Sequence, residues 1–381
     1  MIQPIATSFR LYELLTIPKK SDHNRLKSVL FKISQKEHIL FTNKGRDAIY
    51  FALKDMSLKK SDQVILQGYT CSIVREAVKA VCTPVFVDID IKTMNMDLNK
   101  LKKAITKKTK AILLVHSYGN PVNMNIITKL AKKHKLKIIE DCAQALKTKF
   151  DNQYVGSFGD YTIVTFGFSK DITIFKTGAL LSKTKINPTF KKLLKKENSF
   201  RTFVDNCSVF GGMLFIESMP LFIRNILTKI VVKPYVKGNQ EIFTPSNQAP
   251  SNYAISFIYK QTKKINKILK KRQFNADFYN QQFKYIPHLK SKTLKSHSLS
   301  QPTYFRYTLL VKNRKKIMKQ FLKHRIRLGA LYDFFISPEG LCPISEIVSE
   351  QMVNLPVHHR LRKSQLRKIV KLVKRYVSHD Q

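Results

Sequence analysis

Three short segments carry side chains whose types and spacing could do chemistry: FTNKGRDAIYFAL (41–53), KIIEDCAQ (137–144) and TIVTFGFSK (162–170). In the first, a strand end meets Gly45 and a helix start. That arrangement points free backbone N–H groups at an anion, and Arg46 could add a charge-assisted hydrogen bond to a phosphate. Many such turns bind nothing. In the second, Asp141 ends a buried strand, where a carboxylate is costly unless paired. Capping a turn or pairing with a nearby lysine explains most such residues; facing a protonated heterocyclic nitrogen is the functional alternative. In the third, Lys170 follows apolar neighbours, Phe166 and Phe168, which would penalise the ammonium and favour a nucleophilic amine. Read alone, it is equally a surface lysine at a strand end. Together the three describe a phosphate grip, a carboxylate for a ring nitrogen and an amine for a carbonyl, which are the needs of pyridoxal 5'-phosphate.

These residues need strands that end on one edge. Strand-like runs are QVILQ (63–67), PVFVDID (84–90), KAILLV (110–115), KIIED (137–141) and YTIVTFGF (161–168), alternating with amphipathic GRDAIYFALKDM, SIVREAVKAV, LNKLKKAI and MNIITKLAKKH. That alternation predicts an α/β fold with a mostly parallel sheet flanked by helices, and ligands in such sheets sit beyond the strands' carboxyl ends. The pattern stops after residue 183. A helical, irregular stretch runs to about 250, closed by the turn-rich TPSNQAPSN. A long basic helix (259–283), a strand-like YFRYTLLV and a last helix from Lys363 follow. The expected division is a large domain over 1–250, with an apolar helical insertion at about 200–240, and a smaller C-terminal α+β domain over 251–381.

With 381 residues and 43% hydrophobic composition the chain can bury a large core. Lysine and arginine (69) outnumber aspartate and glutamate (25), leaving +44. The basic residues are spread along the whole chain, which fits solvated helix faces better than a nucleic-acid-binding arm. The five cysteines form no CxxC and no ligand spacing, so thiols in a reducing cytosol are expected and neither a disulfide framework nor a metal site. No signal-peptide pattern opens the sequence. Residues 209–232 are strongly apolar, but Glu217, Pro220, Arg224 and Lys229 interrupt them. A packed helical hairpin is expected there, with contact to a membrane surface as the alternative.

The segments IIEDCAQA and VGSFGD, in that order and followed by a lysine, resemble the DegT/DnrJ/EryC1/StrS (sugar) aminotransferases, a pyridoxal-phosphate-dependent family of fold type I. GRDAIYFALKDMSL, DQVILQGYTC, LLVHSYGNPVNM and EQMVNLPVHHRL extend the likeness over roughly residues 38 to 377. The resemblance implies that Lys170 holds the cofactor covalently, that Asp141 pairs with its ring nitrogen and Gln144 approaches its phenolic oxygen. Thr165, Gly45 and Arg46 would face its phosphate, Arg46 standing where the family often has threonine. Cys71 takes the place of an aromatic that stacks on the ring. The glycine-rich turn after the lysine is written FKTG, with Gly178 kept and Lys176 a departure. His116 and His358 lie where either a structural role or a substrate contact would suit. A cytoplasmic homodimer acting on an amino donor, L-glutamate, and a nucleotide-linked keto-sugar is implied, with no nucleic-acid partner. The alternatives are a sugar dehydratase of the same family, whose members carry histidine at the lysine position, and a basic nucleic-acid or membrane-surface protein that has lost turnover.

Overall fold

The runs rich in valine, isoleucine and leucine become one seven-stranded sheet in a computed structural model. It describes residues 1–167, 169–218, 243–286, 293 and 295–377, with backbone alone from 213 to 218. The strands are β1 (His38–Thr42), β2 (Gln63–Gln67), β3 (Thr83–Val87), β4 (Thr109–Val115), β5 (Lys137–Asp141), β6 (Tyr161–Thr165) and β7 (Gly178–Ser182), in spatial order β1-β7-β6-β5-β4-β2-β3. β3, β2, β4, β5 and β6 are parallel. β7 runs antiparallel between β6 and β1. The sequence reading does not separate β7 from the apolar run before it.

Both faces are covered, so the strands are apolar on both sides. α2 (Gly45–Asp55) and α3 (Ser72–Lys79) pack Ala48, Ala52, Val74 and Val78 on Leu66, Leu113 and Ile139. α5 (Met124–His134) covers the other face with Met124 and Ile127 on Ile65, Ile112 and Leu114; α4 (Leu98–Ala104) adds Leu101 there. α1 (Ser21–Ser34) contributes Leu26 and Leu30 to a third cluster.

Beyond the sheet come α6 (Pro188–Leu193), α7 (Ser199–Ser218), α8 (Asn252–Thr262), α9 (Ile265–Phe283), β8 (Tyr307–Leu310), α10 (Arg314–Lys323), α11 (Pro343–Gln351), β9 (Met352–Leu355) and α12 (Lys363–Tyr376). β8 and β9 pair antiparallel. The single basic helix expected over 259–283 is instead two, interrupted at Lys263 and Lys264. Ala254, Phe257 and Ile258 before the break and Ile265 just after it join Leu26 and Leu30, whereas Ala276, Tyr279 and Phe283 enter a separate core with Tyr307, Leu309, Val353 and Ile369. α9 thus reaches from the core that holds Ile265 to the core that holds Ala276, Tyr279 and Phe283. Of the expected apolar insertion, residues 219–242 lie outside the described residues. No described helix is long and apolar enough to cross a membrane.

β5 ends on two carboxylates with different neighbours. Glu140 is wholly buried: Gly156 N–H donates to Oε2 (2.7 Å), Gly159 N–H to Oε1 (2.6 Å), and His116 Nε2 lies 3.2 Å from Oε2. Buried Lys36 donates from Nζ to the Gly156 carbonyl and adds positive charge. Gly159 must be glycine because a Cβ there would meet the Ile138 carbonyl oxygen at 2.8 Å. Burial alone would raise the Glu140 carboxyl, but His116, Lys36 and the Gly159 N–H outweigh it and hold it low. Glu140→Gln would set an amide N–H against these donors, and about 3 kcal/mol of stability should be lost. Because the folded carboxyl is depressed, its stabilisation is full above the ordinary glutamate pKa and is lost as pH falls through the lower folded value. Urea denaturation against pH should therefore show a weaker acid-side decline in Glu140→Gln than in the wild type.

Candidate active site

Because β7 opposes its neighbours, its first residue meets the edge where the parallel strands end. Gly178 pairs with Thr42 on one side and Thr165 on the other. A Cβ at Gly178 would lie 2.6 Å from the carbonyl carbon and oxygen of Lys44 and 2.7 Å from Gly45 N. Only a glycine lets the FKTG turn pass there. A Cβ on Gly45 would lie 3.1 Å from Thr165 Cβ, so these two expected phosphate contacts sit together. α2 begins at Gly45 after an extended Lys44 (φ −144°, ψ 160°). Among the described residues the N–H groups of Gly45 and Arg46 find no acceptor, and Arg46 is half-buried without an ion pair. These are free donors at the positive end of a helix. Among the described residues the Thr165 hydroxyl makes only 3.4 Å contacts, to the Thr177 carbonyl and from Gly167 N–H.

Asp141 is 5% exposed. Its Oδ1 accepts the Ala143 N–H at 2.9 Å, and Oδ2 has no hydrogen bond among the described residues. Burial raises its carboxyl, opposed by the Ala143 N–H, Lys170 and His116. Lys170 is half-buried, its amine 5.4 Å from the Phe305 ring centroid. Burial pushes that amine below the ordinary lysine value; Asp141 and Cys71 oppose the shift, and Arg306 adds to it. Cys71, at the start of α3, senses Lys170, Asp141 and Arg46, so the expected cofactor neighbours do converge. Ser169 holds a left-handed backbone (φ 68°), a strained state for a residue other than glycine, immediately before the lysine. Phe168 lies outside the described residues. Lys176 is engaged elsewhere, its Nζ 2.5 Å from Glu197 Oε1.

Gln144 is tied at both ends: Oε1 accepts Tyr118 N–H (2.8 Å) and Nε2 donates to Tyr332 Oη (2.9 Å). One Nε2 hydrogen is left to meet a ligand oxygen. For His116 the structure corrects the substrate-contact reading. The ring is wholly buried, Nδ1 accepts Val122 N–H at 3.2 Å, and Nε2 therefore carries the proton shared with Glu140. Neither nitrogen is free. His358 lies apart, lining a cavity of about 1460 Å³ that also touches Ser169. Its Nε2 donates to the Gln3 carbonyl (3.1 Å), its buried Nδ1 has no partner among the described residues, and burial pushes the imidazole down to about 4.

Three tyrosines that the sequence reading passed over complete the wall. Tyr69 Oη lies 2.8 Å from Tyr118 Oη and donates to the Tyr332 carbonyl at 3.1 Å. Tyr332, itself buried, senses Cys71 and Asp141. The available signal was an aromatic inside VHSYG and GALYDFF. Among the described residues no three His, Cys, Asp or Glu side chains gather as a metal site. The donor set fits pyridoxal 5'-phosphate: an unpartnered carboxylate oxygen, a desolvated amine, and free N–H groups flanked by a hydroxyl and a guanidinium.

Gly178→Ala should cost about 1–3 kcal/mol through overpacking against Lys44 and weaken phosphate binding at the start of α2. Lys176→Ala should change stability by less than about 1 kcal/mol and leave that binding intact. Chemical denaturation with and without inorganic phosphate separates the two outcomes.

Sequence comparison agrees with this geometry. The description "DegT/DnrJ/EryC1/StrS aminotransferase family" matches residues 19–199 and 250–374. GDP-perosamine synthase of Escherichia coli O157:H7 is 36% identical over 158 residues, 40% of this chain and 43% of that protein. An Acidithiobacillus ferrooxidans UDP-N-acetyl-3-dehydro-alpha-D-glucosamine 3-aminotransferase is 42% identical over 138 residues, 36% of this chain and 37% of its own. The chain thus spans about two fifths of the length of these two curated relatives. A solved DegT/DnrJ/EryC1/StrS aminotransferase from Brucella abortus shares the fold with a TM-score of 0.73 at 19% identity, over 94% of this chain and 91% of that one. The chain belongs to the DegT/DnrJ/EryC1/StrS aminotransferase family, whose cofactor is pyridoxal 5'-phosphate.

Proposed function

We propose that this protein transfers an amino group from an amino acid, L-glutamate, to a nucleotide-linked keto-sugar, for amino sugars of surface polysaccharide. The observation that carries the reading is the meeting of a desolvated Lys170, an Asp141 oxygen without a partner, and the free N–H groups at Gly45 and Arg46 on one sheet edge. Bound pyridoxal phosphate supplies an electron sink for the pair released when the donor's α C–H bond breaks. Lys170 holds the cofactor and moves the proton, a task that its lowered pKa assists. Asp141 keeps a proton on the ring nitrogen. Gly45, Arg46 and Thr165 hold the phosphate, Cys71 packs on the ring, and Gln144 faces the phenolic oxygen.

The cavity that reaches Ser169 carries Lys263, Lys267, Lys270, Lys271 and Arg360 beside His358, a lining suited to the diphosphate of a sugar nucleotide. This reading gives the positive balance a use without a nucleic-acid partner. We further propose that it works in the cytoplasm as a homodimer. Lys170 disfavours the dehydratase alternative.

Purified protein reconstituted with pyridoxal phosphate should be yellow, should bleach on adding L-glutamate, and should lose the band entirely in Lys170→Ala. A colourless wild type that takes up no cofactor would sink the reading.

A further inference from the structure

The residues just ahead of α1 turn most of their apolar side chains toward water. The stretch RLYELLTIPKK (10–20) forms a short 3-10 helix, Leu11–Leu15, followed by a non-helical run. Leu14 is buried, whereas Leu11, Tyr12, Leu15 and Ile17 are 52%, 64%, 72% and 73% exposed. Tyr12 and Leu15 lie three residues apart, a spacing that a 3-10 helix sets one above the other on a single side. Exposed leucines scattered singly need no explanation, but these neighbours form a patch.

The rest of the fold holds this patch in place. On α8, Tyr253 Oη donates to the Leu14 carbonyl at 2.8 Å, and Ser256 Oγ accepts the Lys19 N–H at 2.9 Å. The Phe203 ring lies 5.7 Å from the Tyr253 ring and 6.4 Å from the Phe200 ring. That run of contacts brings the start of α7 beside the patch. Phe200 is 73% exposed, and Val204, one turn further along α7, is exposed as well.

Cations surround these side chains. Arg10, Lys19, Lys20 and Arg201 are all exposed. The one acid within residues 10–20, Glu13, is already engaged: Lys264 pairs with Oε1, and Arg10 N–H donates to Oε2 at 3.0 Å. On α7, Asp205 lies off the face that Phe200 and Val204 share. Aromatic and aliphatic side chains that protrude between lysines and arginines match a bilayer with anionic headgroups, where the apolar groups enter the acyl boundary and the cations meet lipid phosphates. A second copy of the chain is a poorer occupant. It carries the same +44, and a two-fold contact would bring two sets of Arg10, Lys19 and Lys20 together.

We propose that residues 10–20 and the start of α7 dock this protein on the surface of an anionic membrane, with Tyr12, Leu15, Ile17 and Phe200 entering the headgroup region. Arg10 and Leu11 also line the cavity that reaches Ser169, so a docked molecule holds that cavity beside the bilayer. Docking of this kind is independent of the amino-transfer reading.

The test sediments the whole chain with vesicles of phosphatidylcholine alone and with vesicles of phosphatidylcholine and phosphatidylglycerol in equal parts. Two double variants stand beside the wild type, Leu15→Ser with Ile17→Ser and Lys19→Gln with Lys20→Gln. The control is Tyr285→Ser, which removes an aromatic of 82% exposure beyond the far end of α9. Melting temperature and sedimentation velocity without vesicles are recorded for each. Wild type and Tyr285→Ser should bind the anionic vesicles alike and leave the neutral ones in the supernatant. The serine pair should bind the anionic vesicles at least about 10-fold more weakly, and the glutamine pair about 10-fold more weakly. Both should melt with the wild type, because all four side chains are exposed. A wild type that binds neither vesicle, or binds both equally, would overturn the proposal. So would a serine pair that binds like the wild type, which would leave diffuse charge as the whole attraction, or a loss of binding shared by Tyr285→Ser. A serine pair that falls from dimer to monomer would make the patch a contact between copies, and one that melts lower would make it part of the core; either result overturns the proposal too.

Discussion

A carboxylate that water does not reach sets the geometry of everything around it. Glu140 draws together β5, the histidine after β4, the glycine loop before β6 and, through the Gly156 carbonyl, Lys36 ahead of β1. Removing such a group from water is costly, and it is tolerated only because hydrogen-bond donors surround it. Successive residues of a strand face opposite ways. Anchoring Glu140 therefore aims Asp141, and Asp141 is the carboxylate that would meet the cofactor. The VGSFGD segment belongs to this anchor: it touches the chemistry by fixing the strand that delivers it.

Much of this was legible in the sequence. The βαβ alternation placed β2 and β5 at the residues observed and the remaining parallel strands within a few positions, because fully buried strands write themselves as apolar runs. Gly45, Asp141 and Lys170 were readable as strand-end residues, Thr165 and Cys71 came from the family resemblance, and the structure brings the five together. What escaped depended on contacts between distant segments. His116 looked like a site residue because it ends a strand; only the Glu140 partner and the Val122 N–H show that both ring nitrogens are engaged. The break at Lys263 and Lys264 was hidden because lysine suits a helix. Arg306 was visible only as a basic residue in an otherwise apolar run.

The FKTG turn shows how a departure from a family's usual pattern can be harmless. What the turn must do is bring a backbone against another backbone at Lys44 and Gly45, and the one residue without a side chain does this. Lys176, which looks foreign in such a turn, meets Glu197, and its charge is balanced locally. Steric need falls on one position, Gly178.

α9 runs from one core to the other, with Ile265 in the first and Ala276 through Phe283 in the second. Lys170 follows a strand of the sheet unit, whereas Arg306 adjoins the strand pair of the other. Arg306 Nη2 reaches the Ser169 carbonyl at 3.4 Å, so the strand pair of one core touches the residue before Lys170. The site edge is therefore held from both cores, and loosening either one would disturb the position of Lys170.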